Sequence, residues 1–531
     1  MPALDHLAAG FVRSAAMYPH RPALMLDDES WTYDDLLRAA TAIAAVLSEH
    51  TPENNPPWTA VFAHRSFPAF AGVLGVLLRG HGYVPLNRKL PAMRTKAMFA
   101  RSGCRALVVD NESVVQLDEI LDGVVDEIVI VAPDLPDTRE LQSRHPGHVF
   151  FGRDALSYVD APVLRRPESD DVAYLLFTSG STGEPKGVMV AHRNVAPFVR
   201  AMADRYGLNE EDRCSQTFDL TFDLSVFDLF VAWERGACVC CLADKALLKP
   251  GNFIRDNELT VWFSVPSTGM FLQRFGMLKP GSYPSLRWSL FCGEALPVDL
   301  AEAWAAAAPH SVVENLYGPT EATIACTVYR WAGDRTRHEA RLGLVPIGHP
   351  TEKMSAVVVD GHLQEVGVEE EGELLVAGHQ VALGYLDDPE RTNAAFVVPP
   401  NRADVHYRTG DRVTRDANGV LHYLGRLDHQ VQVHGHRVEL GEIEAAIREV
   451  TGAEAVAVGW PMTDSGVAGI VAFVAGEHAL ELASLRVALA ARLPDYMLPR
   501  EVHILSELPL NSNGKFDRVA LRSRLEAHDD N

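Results

Sequence analysis

The stretch YLLFTSGSTGEPKGVMV, residues 174–190, sets the first expectation for this chain. An apolar, β-like run leads into a loop with three glycines, four hydroxyl residues and a lysine. Such loops wrap backbone N–H groups and hydroxyls around phosphate oxygens. The loop is not a Walker A motif, because Pro185 precedes Lys186 and Gly187 follows it. Taken alone it is also compatible with a flexible surface turn. The predicted phosphate-binding residues are Thr178, Ser179, Gly180, Ser181, Thr182, Gly183 and Lys186.

The rest of the first 350 residues alternates between helical and strand-like patterns. A helical periodicity begins after Tyr33, and short β-rich runs follow at 105–110, 127–132 and 148–151. This alternation predicts an α/β fold with layered, mostly parallel sheets. After about residue 350, turn signals at Asp360-Gly361 and Asn418-Gly419 predict hairpins and a small β-barrel-like part.

The last hundred residues predict a separate small domain. A helix is expected in GEIEAAIREV, two strands in AEAVAVGW and AGIVAFVAG, and a helix over 481–493 with leucines on one face. The predicted division is a large core over 1–427 and a small α+β domain over 428–531.

Composition limits the possible functions. The 531 residues carry 48 Lys+Arg against 71 Asp+Glu, a formal net charge of −23, which disfavours binding to nucleic acid. The seven cysteines include no CxxC pair, and Cys238, Cys240 and Cys241 are expected in a buried strand. The apolar run at 69–78 is too short to span a bilayer and no secretory signal is evident, so a cytoplasmic location without membrane association is expected.

Six motifs in order carry a resemblance that covers nearly the whole chain. They are SGSTGEPKG, NLYGPTEAT (315–323), GELLVAG with GYL (372–386), YRTGD (407–411), GRLDHQVQVHGHRVELGEIE (425–444) and LPLNSNGKFDR (508–518). In this order they resemble the adenylate-forming superfamily, which includes acyl-CoA synthetases, luciferases and the adenylation domains of nonribosomal peptide synthetases. The amino-acid-activating branch is the most similar, and the substrate pocket partly resembles that of stand-alone L-proline–carrier protein ligases.

The resemblance implies a ligase that uses ATP and Mg²⁺. A carboxylate attacks the α-phosphate, and a thiol then displaces AMP. Glu321 is implied as the metal ligand, which suits a hard cation, and Asp411 and Arg426 as ribose contacts. Lys515 is implied as the catalytic lysine, with Thr178 and Glu321 as further catalytic groups. The remaining implied nucleotide contacts are Gly293, Glu294, Asn315, Tyr317 (stacked on adenine), Gly318 and Thr320 (bonded to the α-phosphate).

A hinge and two positions that differ from the family pattern concern the second step, in which the thiol displaces AMP. The small domain is implied to rotate about Asp428, so that the GHRVELGE segment lines the path of the thiol. The family commonly has basic residues at the positions of Gln432 and His434. These two positions bear on the thiol-transfer conformation and not on adenylation.

Asp223 indicates an amino-acid substrate. In amino-acid activators this position holds the α-ammonium, although a helix N-cap is the structural alternative. The side-chain pocket predicted from the motifs is Leu224, Phe227, Phe263, Leu290, Cys292, Leu316, Ile324 and Ala325. It holds no charge and is narrow, which predicts a small apolar amino acid: proline first, then valine, isoleucine or alanine.

The predicted partner is a phosphopantetheinylated carrier protein that acts in trans, because the motifs leave no room for a carrier domain. The alternatives are an acyl- or aryl-CoA synthetase, a D-alanine or other small aliphatic amino acid–carrier protein ligase, and a non-catalytic ATP-binding module. Asp223 argues against the CoA synthetase. Lys186, Glu321, Asp411 and Lys515 argue against the non-catalytic module.

Overall fold

Two large sheets with helices packed against them form most of the chain. The computed structural model describes residues 6–52, 56–156, 167–180, 184–246, 248–428, 430–463, 466–476, 482–510 and 516–529. The predicted site residues Ser181, Thr182, Gly183 and Lys515 lie outside this described part.

The strands of the described part, in chain order, are β1 (Pro22–Leu26), β2 (Glu29–Thr32), β3 (Trp58–Phe62), β4 (Gly82–Leu86), β5 (Ala106–Val109), β6 (Val129–Val131), β7 (Val149–Phe151), β8 (Val172–Thr178), β9 (Lys186–Ala191), β10 (Arg213–Gln216), β11 (Cys238–Cys241), β12 (Val261–Ser264), β13 (Trp288–Phe291), β14 (Val312–Tyr317), β15 (Thr327–Arg330), β16 (His349–Pro350), β17 (Met354–Val359), β18 (Glu371–Gly378), β19 (Gly384–Tyr385), β20 (Phe396–Val397), β21 (His406–Arg415), β22 (Leu421–Arg426), β23 (Gln430–Val433), β24 (His436–Glu439), β25 (Ala455–Gly459), β26 (Met462–Thr463), β27 (Gly466–Val467), β28 (Ile470–Ala475) and β29 (Glu501–Leu505).

The α-helices of the same residues are α1 (Ala9–Met17), α2 (Tyr33–His50), α3 (Phe67–Leu78), α4 (Ala92–Ser102), α5 (Leu117–Leu121), α6 (Arg139–Arg144), α7 (His192–Arg205), α8 (Leu224–Val226), α9 (Pro250–Asp256), α10 (Pro266–Arg274), α11 (Val298–Ala307), α12 (Asp334–Glu339), α13 (Pro389–Ala395), α14 (Leu440–Thr451), α15 (Leu482–Ala490) and α16 (Arg518–Asp529).

The sheet order explains where a cleft forms. The eight-stranded sheet runs β19-β9-β8-β4-β3-β5-β6-β7, and the nine-stranded sheet runs β16-β15-β14-β13-β12-β10-β11-β1-β2. Neighbouring strands from β10 to β14 are parallel in the second sheet, as are β8, β4, β3 and β5 in the first. The carboxyl ends of parallel strands meet at one edge, which is where open α/β sheets bind ligands. The predicted α/β architecture is confirmed.

Helix α3 explains the most apolar run in the first hundred residues. Ser66 caps its first turn by accepting the Ala69 N–H, and the residues from Pro68 to Leu78 are buried. Because α3 packs on α2 and on β3, β4 and β5, it is apolar on all faces for reasons of core packing. Among the described residues, no helix combines the length and apolar composition needed to cross a bilayer.

The later strands form smaller antiparallel units. Strands β17, β18, β20, β21 and β22 form a five-stranded sheet, which corresponds to the predicted barrel-like part. The Asn418-Gly419 turn joins β21 to β22 as predicted, and Asp360-Gly361 begins the connection between the antiparallel strands β17 and β18, where Val359 also pairs with Glu365. The strand predicted to hold Cys238, Cys240 and Cys241 is present as β11, and all three cysteines are buried and free.

The small domain contains two sheets, β24-β23-β27-β26 and β25-β28-β29, covered by α14, α15 and α16. Leu485, Leu489 and Leu493 are buried in its own core, as the helical pattern predicts. Strand β22 ends at Arg426 and β23 begins at Gln430, so the chain leaves the large domain through the predicted hinge region. The division at 427/428 itself stays a prediction.

Candidate active site

A cleft of about 830 Å³ opens between the large and small domains. The carboxyl ends of β8, β13 and β14 form one wall of the cleft. Each of these strands ends at or near a predicted nucleotide-binding residue. The predicted site residues that line the cleft are Thr178, Ser179, Asp223, Leu224, Gly293, Glu294, Asn315, Leu316, Tyr317, Gly318, Thr320, Asp411, Arg426 and Asp428. Most of the predicted nucleotide site is therefore brought together in one place.

Glu321 lies behind this wall at the centre of a buried polar network. Its Oε1 accepts from Lys186 Nζ at 3.0 Å and from the Tyr385 hydroxyl at 2.8 Å. Its Oε2 accepts from Arg437 Nη1 at 3.3 Å. Burial alone would raise the pKa of Glu321, but the charges of Lys186 and Arg437 hold that pKa well below its usual range. Glu321 is therefore an ionised, fully buried carboxylate at pH 7.

Sequence reasoning missed two members of this network, Tyr385 and Arg437. Tyr385 belongs to the short strand β19, which pairs with β9 beside Lys186. Its ring lies 4.7 Å from Lys186 Nζ in a cation–π contact. Arg437 comes from β24 of the small domain, within the GHRVELGE segment. Both residues lie in motifs of the family, but the sequence pattern does not indicate that both side chains reach Glu321.

The phosphate loop begins where β8 ends. The Thr178 hydroxyl is buried and, among the residues that the structure describes, has no hydrogen-bond partner. The Ser179 hydroxyl donates to the backbone carbonyl of Arg437 at 2.8 Å. Buried polar groups are normally hydrogen-bonded, so an unpaired hydroxyl beside a buried lysine is suited to bind a phosphate oxygen. The part of the loop that the structure describes therefore fits the predicted nucleotide.

Asp411 and Arg426 lie on the neighbouring strands β21 and β22. Arg426 Nη1 donates to Asp411 Oδ1 at 2.8 Å, and the Tyr317 hydroxyl donates to the other oxygen of Asp411. Asp411 and Arg426 are paired across β21 and β22. The same two residue types form structural salt bridges and ribose-binding sites, so the sequence alone does not distinguish the two. Asp411 is buried at the edge of the cleft, where a carboxylate can accept hydroxyl groups.

Asp223 lies at the inner end of the cleft and is 7% exposed. It stands at the N-cap position of α8, but its side chain makes no capping hydrogen bond there. Its Oδ2 instead accepts the Ile324 N–H at 3.1 Å. Burial raises the pKa of Asp223 to about 7, and the bond from Ile324 only partly offsets this. A cation bound beside Asp223 would favour its charged form.

The predicted side-chain pocket is divided by depth. Asp223, Leu224 and Leu316 line the cleft. The others do not line it in the described structure and are at most 3% exposed in the main core: Phe227, Phe263, Leu290, Cys292, Ile324 and Ala325. The Phe227 and Phe263 rings pack at 4.5 Å and close the core behind Leu224.

Several segments of the small domain line the cleft, and one of them carries three residues of the GHRVELGE motif. Gly435, His436 and Arg437 line it, and the His436 ring stacks on Tyr496 at 3.7 Å and meets the Phe222 ring edge-on at 4.9 Å. Burial lowers the pKa of His436 to about 4, so the ring is neutral at pH 7. Gln432, one of the two positions that differ from the family pattern, also lines the cleft, whereas His434 is exposed.

Comparison with known proteins agrees with this geometry. The family model for AMP-binding enzymes matches residues 11–386, and that for the AMP-binding enzyme C-terminal domain matches residues 442–515. The chain is 31% identical to the D-alanine–D-alanyl carrier protein ligase of Lacticaseibacillus rhamnosus over 98% of this chain and 99% of that protein.

A second relative is much longer, and a solved structure matches over nearly its full length. The dimodular nonribosomal peptide synthase of Bacillus subtilis is 33% identical over 96% of this chain, which spans only 20% of that protein. The Vibrio cholerae adenylation domain AlmE, solved with glycyl-adenosine-5'-phosphate, superimposes with a TM-score of 0.88 and 32% identity over 98% of each chain. The resemblance to the adenylate-forming superfamily is confirmed, and the chain belongs to the AMP-binding enzyme family, whose members use ATP with Mg²⁺.

Proposed function

We propose that this chain activates a small apolar amino acid as its aminoacyl-AMP. It then transfers the aminoacyl group to the phosphopantetheine thiol of a separate carrier protein. The observation that carries the proposal is Asp223, a buried carboxyl at the inner end of a nucleotide cleft. The α-ammonium of an amino acid supplies the positive charge that a buried carboxylate needs as a partner, whereas an acyl- or aryl-acid substrate has no such charge.

In the first step, an oxygen of the substrate carboxylate attacks the α-phosphorus of ATP and pyrophosphate leaves. Lys186, Thr178 and Ser179 hold phosphate oxygens, and Asp411 accepts the ribose hydroxyls. Glu321 fits the Mg²⁺ that accompanies ATP, because it is an ionised oxygen donor beside the phosphate lysine. When bound, that ion neutralises phosphate charge. Lys515 remains the predicted catalytic lysine, although it lies outside the described residues.

In the second step, the carrier thiol attacks the acyl carbon. A carbon–sulfur bond forms, the bond from carbon to the AMP oxygen breaks, AMP leaves with the electron pair, and the thiol proton passes to solvent. The small-domain segment at Gly435–Arg437 already occupies the cleft. This supports the thiol-transfer arrangement that the resemblance assigns to the GHRVELGE segment.

The sequence ranks L-proline first among the substrates, followed by valine, isoleucine and alanine. The closed core behind Leu224 favours the smaller end of that range. Similar proteins are a D-alanine–D-alanyl carrier protein ligase and an adenylation domain solved with glycyl-adenosine-5'-phosphate. Glycine and both alanine enantiomers therefore belong beside proline in a test.

The test is amino-acid-dependent ATP–pyrophosphate exchange with the twenty amino acids and D-alanine. We expect proline, alanine or glycine to give the highest exchange. A tenfold preference for an acidic, basic or aromatic amino acid would contradict the proposed pocket. Exchange with none of them, but with an aryl or fatty acid, would support the CoA-synthetase alternative. No exchange with any acid would support the non-catalytic module.

The acceptor is tested with the best amino acid in radiolabelled form. Free CoA and a set of phosphopantetheinylated carrier proteins are offered side by side, with the corresponding apo-carriers as controls. We expect label on the holo-carrier and none on the apo-carrier. Efficient thioester formation on CoA with none on any carrier would overturn the carrier-protein proposal.

A further inference from the structure

A buried ion pair joins the large domain to the small one. Arg94 on α4 donates through Nη1 to Oε1 of Glu442, in the first turn of α14. The two side chains are 8% and 2% exposed, although 348 residues separate them in the sequence. Most other ion pairs of the two helices, such as Lys96–Asp122 and Arg492–Glu449, are exposed and stay within one domain.

The stability of the buried ion pair depends on both residues being present. Burial raises the pKa of Glu442, and the charge and hydrogen bond of Arg94 act against that rise. Among the described residues, the second carboxylate oxygen of Glu442 is buried with no close hydrogen-bond partner, and although the Gly180 N–H also lowers the pKa of this carboxyl, Arg94 provides its main compensation. A lone charge left in such a place is far more costly than an intact pair.

The pair lies beside the segment that enters the cleft. Tyr496, on which the His436 ring stacks, is close enough to Arg94 and Glu442 that both charges influence its pKa. The same helix α14 follows directly after β24, which delivers Arg437 to Glu321. Fixing the first turn of α14 against α4 therefore fixes the position of Gly435–Arg437.

We propose that Arg94 and Glu442 are positioning residues for the second half-reaction, because they hold the small domain where the Gly435–Arg437 segment occupies the cleft. The proposal rests on the proposed thiol transfer. Neither residue contacts the reacting atoms in this account. Their effect acts through the position of the small domain, and adenylation, which requires a different position, does not depend on the pair.

The test separates the two half-reactions in the full-length enzyme. Arg94→Ala and Glu442→Gln are expected to slow single-turnover transfer from preformed aminoacyl-AMP to the carrier by about tenfold or more. Amino-acid-dependent ATP–pyrophosphate exchange should stay within about twofold of wild type. Lys96→Ala on α4 and Glu449→Gln on α14 are matched controls that should change neither rate. The double variant R94E/E442R should recover part of the transfer rate.

Each result decides the question. Unchanged transfer in Arg94→Ala overturns the proposal, and so does an equal loss of both half-reactions, which would indicate a general structural role. If the wild type transfers to no acceptor, the proposed function fails, and the pair is judged by amide hydrogen exchange at 435–437. Faster exchange there in Glu442→Gln, but not in Glu449→Gln, supports the positioning role. Equal exchange in both variants refutes it.

Discussion

The ionisation of Asp223 predicts how substrate affinity depends on pH. Its pKa of about 7 means that the carboxyl is about half ionised at pH 7, about one-tenth ionised at pH 6 and about nine-tenths ionised at pH 8. The ammonium of a free amino acid stays charged over this range. Because only the carboxylate form pairs with it, apparent affinity scales with the ionised fraction of the free enzyme.

We therefore expect kcat/KM for the amino acid to rise about tenfold between pH 6 and pH 8, measured by pyrophosphate exchange at saturating ATP. In Asp223→Asn the amide oxygen can still accept the Ile324 N–H, but the charge is lost, so the KM for the amino acid should rise sharply and this pH dependence should disappear. A flat profile in the wild type, or the same slope in Asp223→Asn, would refute the assignment.

The same pKa predicts the stability of the unliganded enzyme. Folding raises the pKa of Asp223 from 3.8 to about 7, so the ionised group opposes folding. This cost is absent below pH 3.8, grows as the pH rises towards 7 and is constant above that, where it reaches about 4 kcal/mol. Asp223→Asn should therefore raise the melting temperature of the unliganded protein at pH 8 more than at pH 5. Equal melting shifts at both pH values would contradict the burial argument.

Three further substitutions test the nucleotide site through pyrophosphate exchange, with circular dichroism to check the fold. Lys515→Ala should lower exchange by about 10²- to 10³-fold, because it removes a cation from an anionic transition state; near wild-type exchange would show that Lys515 is not the catalytic lysine. Glu321→Gln should weaken exchange most at low Mg²⁺, and a loss independent of Mg²⁺ would contradict a role in metal binding. Tyr385→Phe keeps the ring over Lys186 but loses the bond to Glu321, so exchange should fall about tenfold. Unchanged exchange in Tyr385→Phe would limit that hydroxyl to a structural role.

Local sequence predicted the parts of the site that local structure determines. The glycine- and hydroxyl-rich loop begins after β8 as expected, and Asp411 faces Arg426 across the hairpin of β21 and β22, where a register shift between Arg412 and Val413 sets the pairing. Helix α14 forms where the pattern predicts a helix and carries Glu442 in its first turn. In each case the residues concerned lie on one element or on two adjacent ones.

Contacts between distant segments could not be predicted in the same way. Glu321 meets Tyr385 and Arg437 across 64 and 116 residues, and Arg94 meets Glu442 across 348. No periodicity encodes such pairs, because they depend on how distant elements pack and, for Arg437 and Glu442, on how two domains pack. The apolar pocket shows a related limit. Phe227 and Phe263 are core residues behind the cleft, and an apolar side chain looks the same in sequence whether it lines a cavity or fills one.

The contacts of Glu321 also bear on the order of the two proposed steps, adenylation and thiol transfer. Lys186 and Tyr385 hold one oxygen of this carboxylate, and Arg437 of the small domain holds the other. Under the proposed function a magnesium ion would take a carboxylate oxygen of Glu321, and Arg437 is the contact that can be withdrawn to free one, because it belongs to the small domain. The proposed order is therefore that Arg437 stays away from Glu321 while Mg²⁺ and the triphosphate would be bound, and reaches Glu321 in the thiol-transfer position. Because Gly435 and His436 directly precede Arg437 and line the cleft with it, we expect the Arg437–Glu321 contact and the placement of this segment in the cleft to form together.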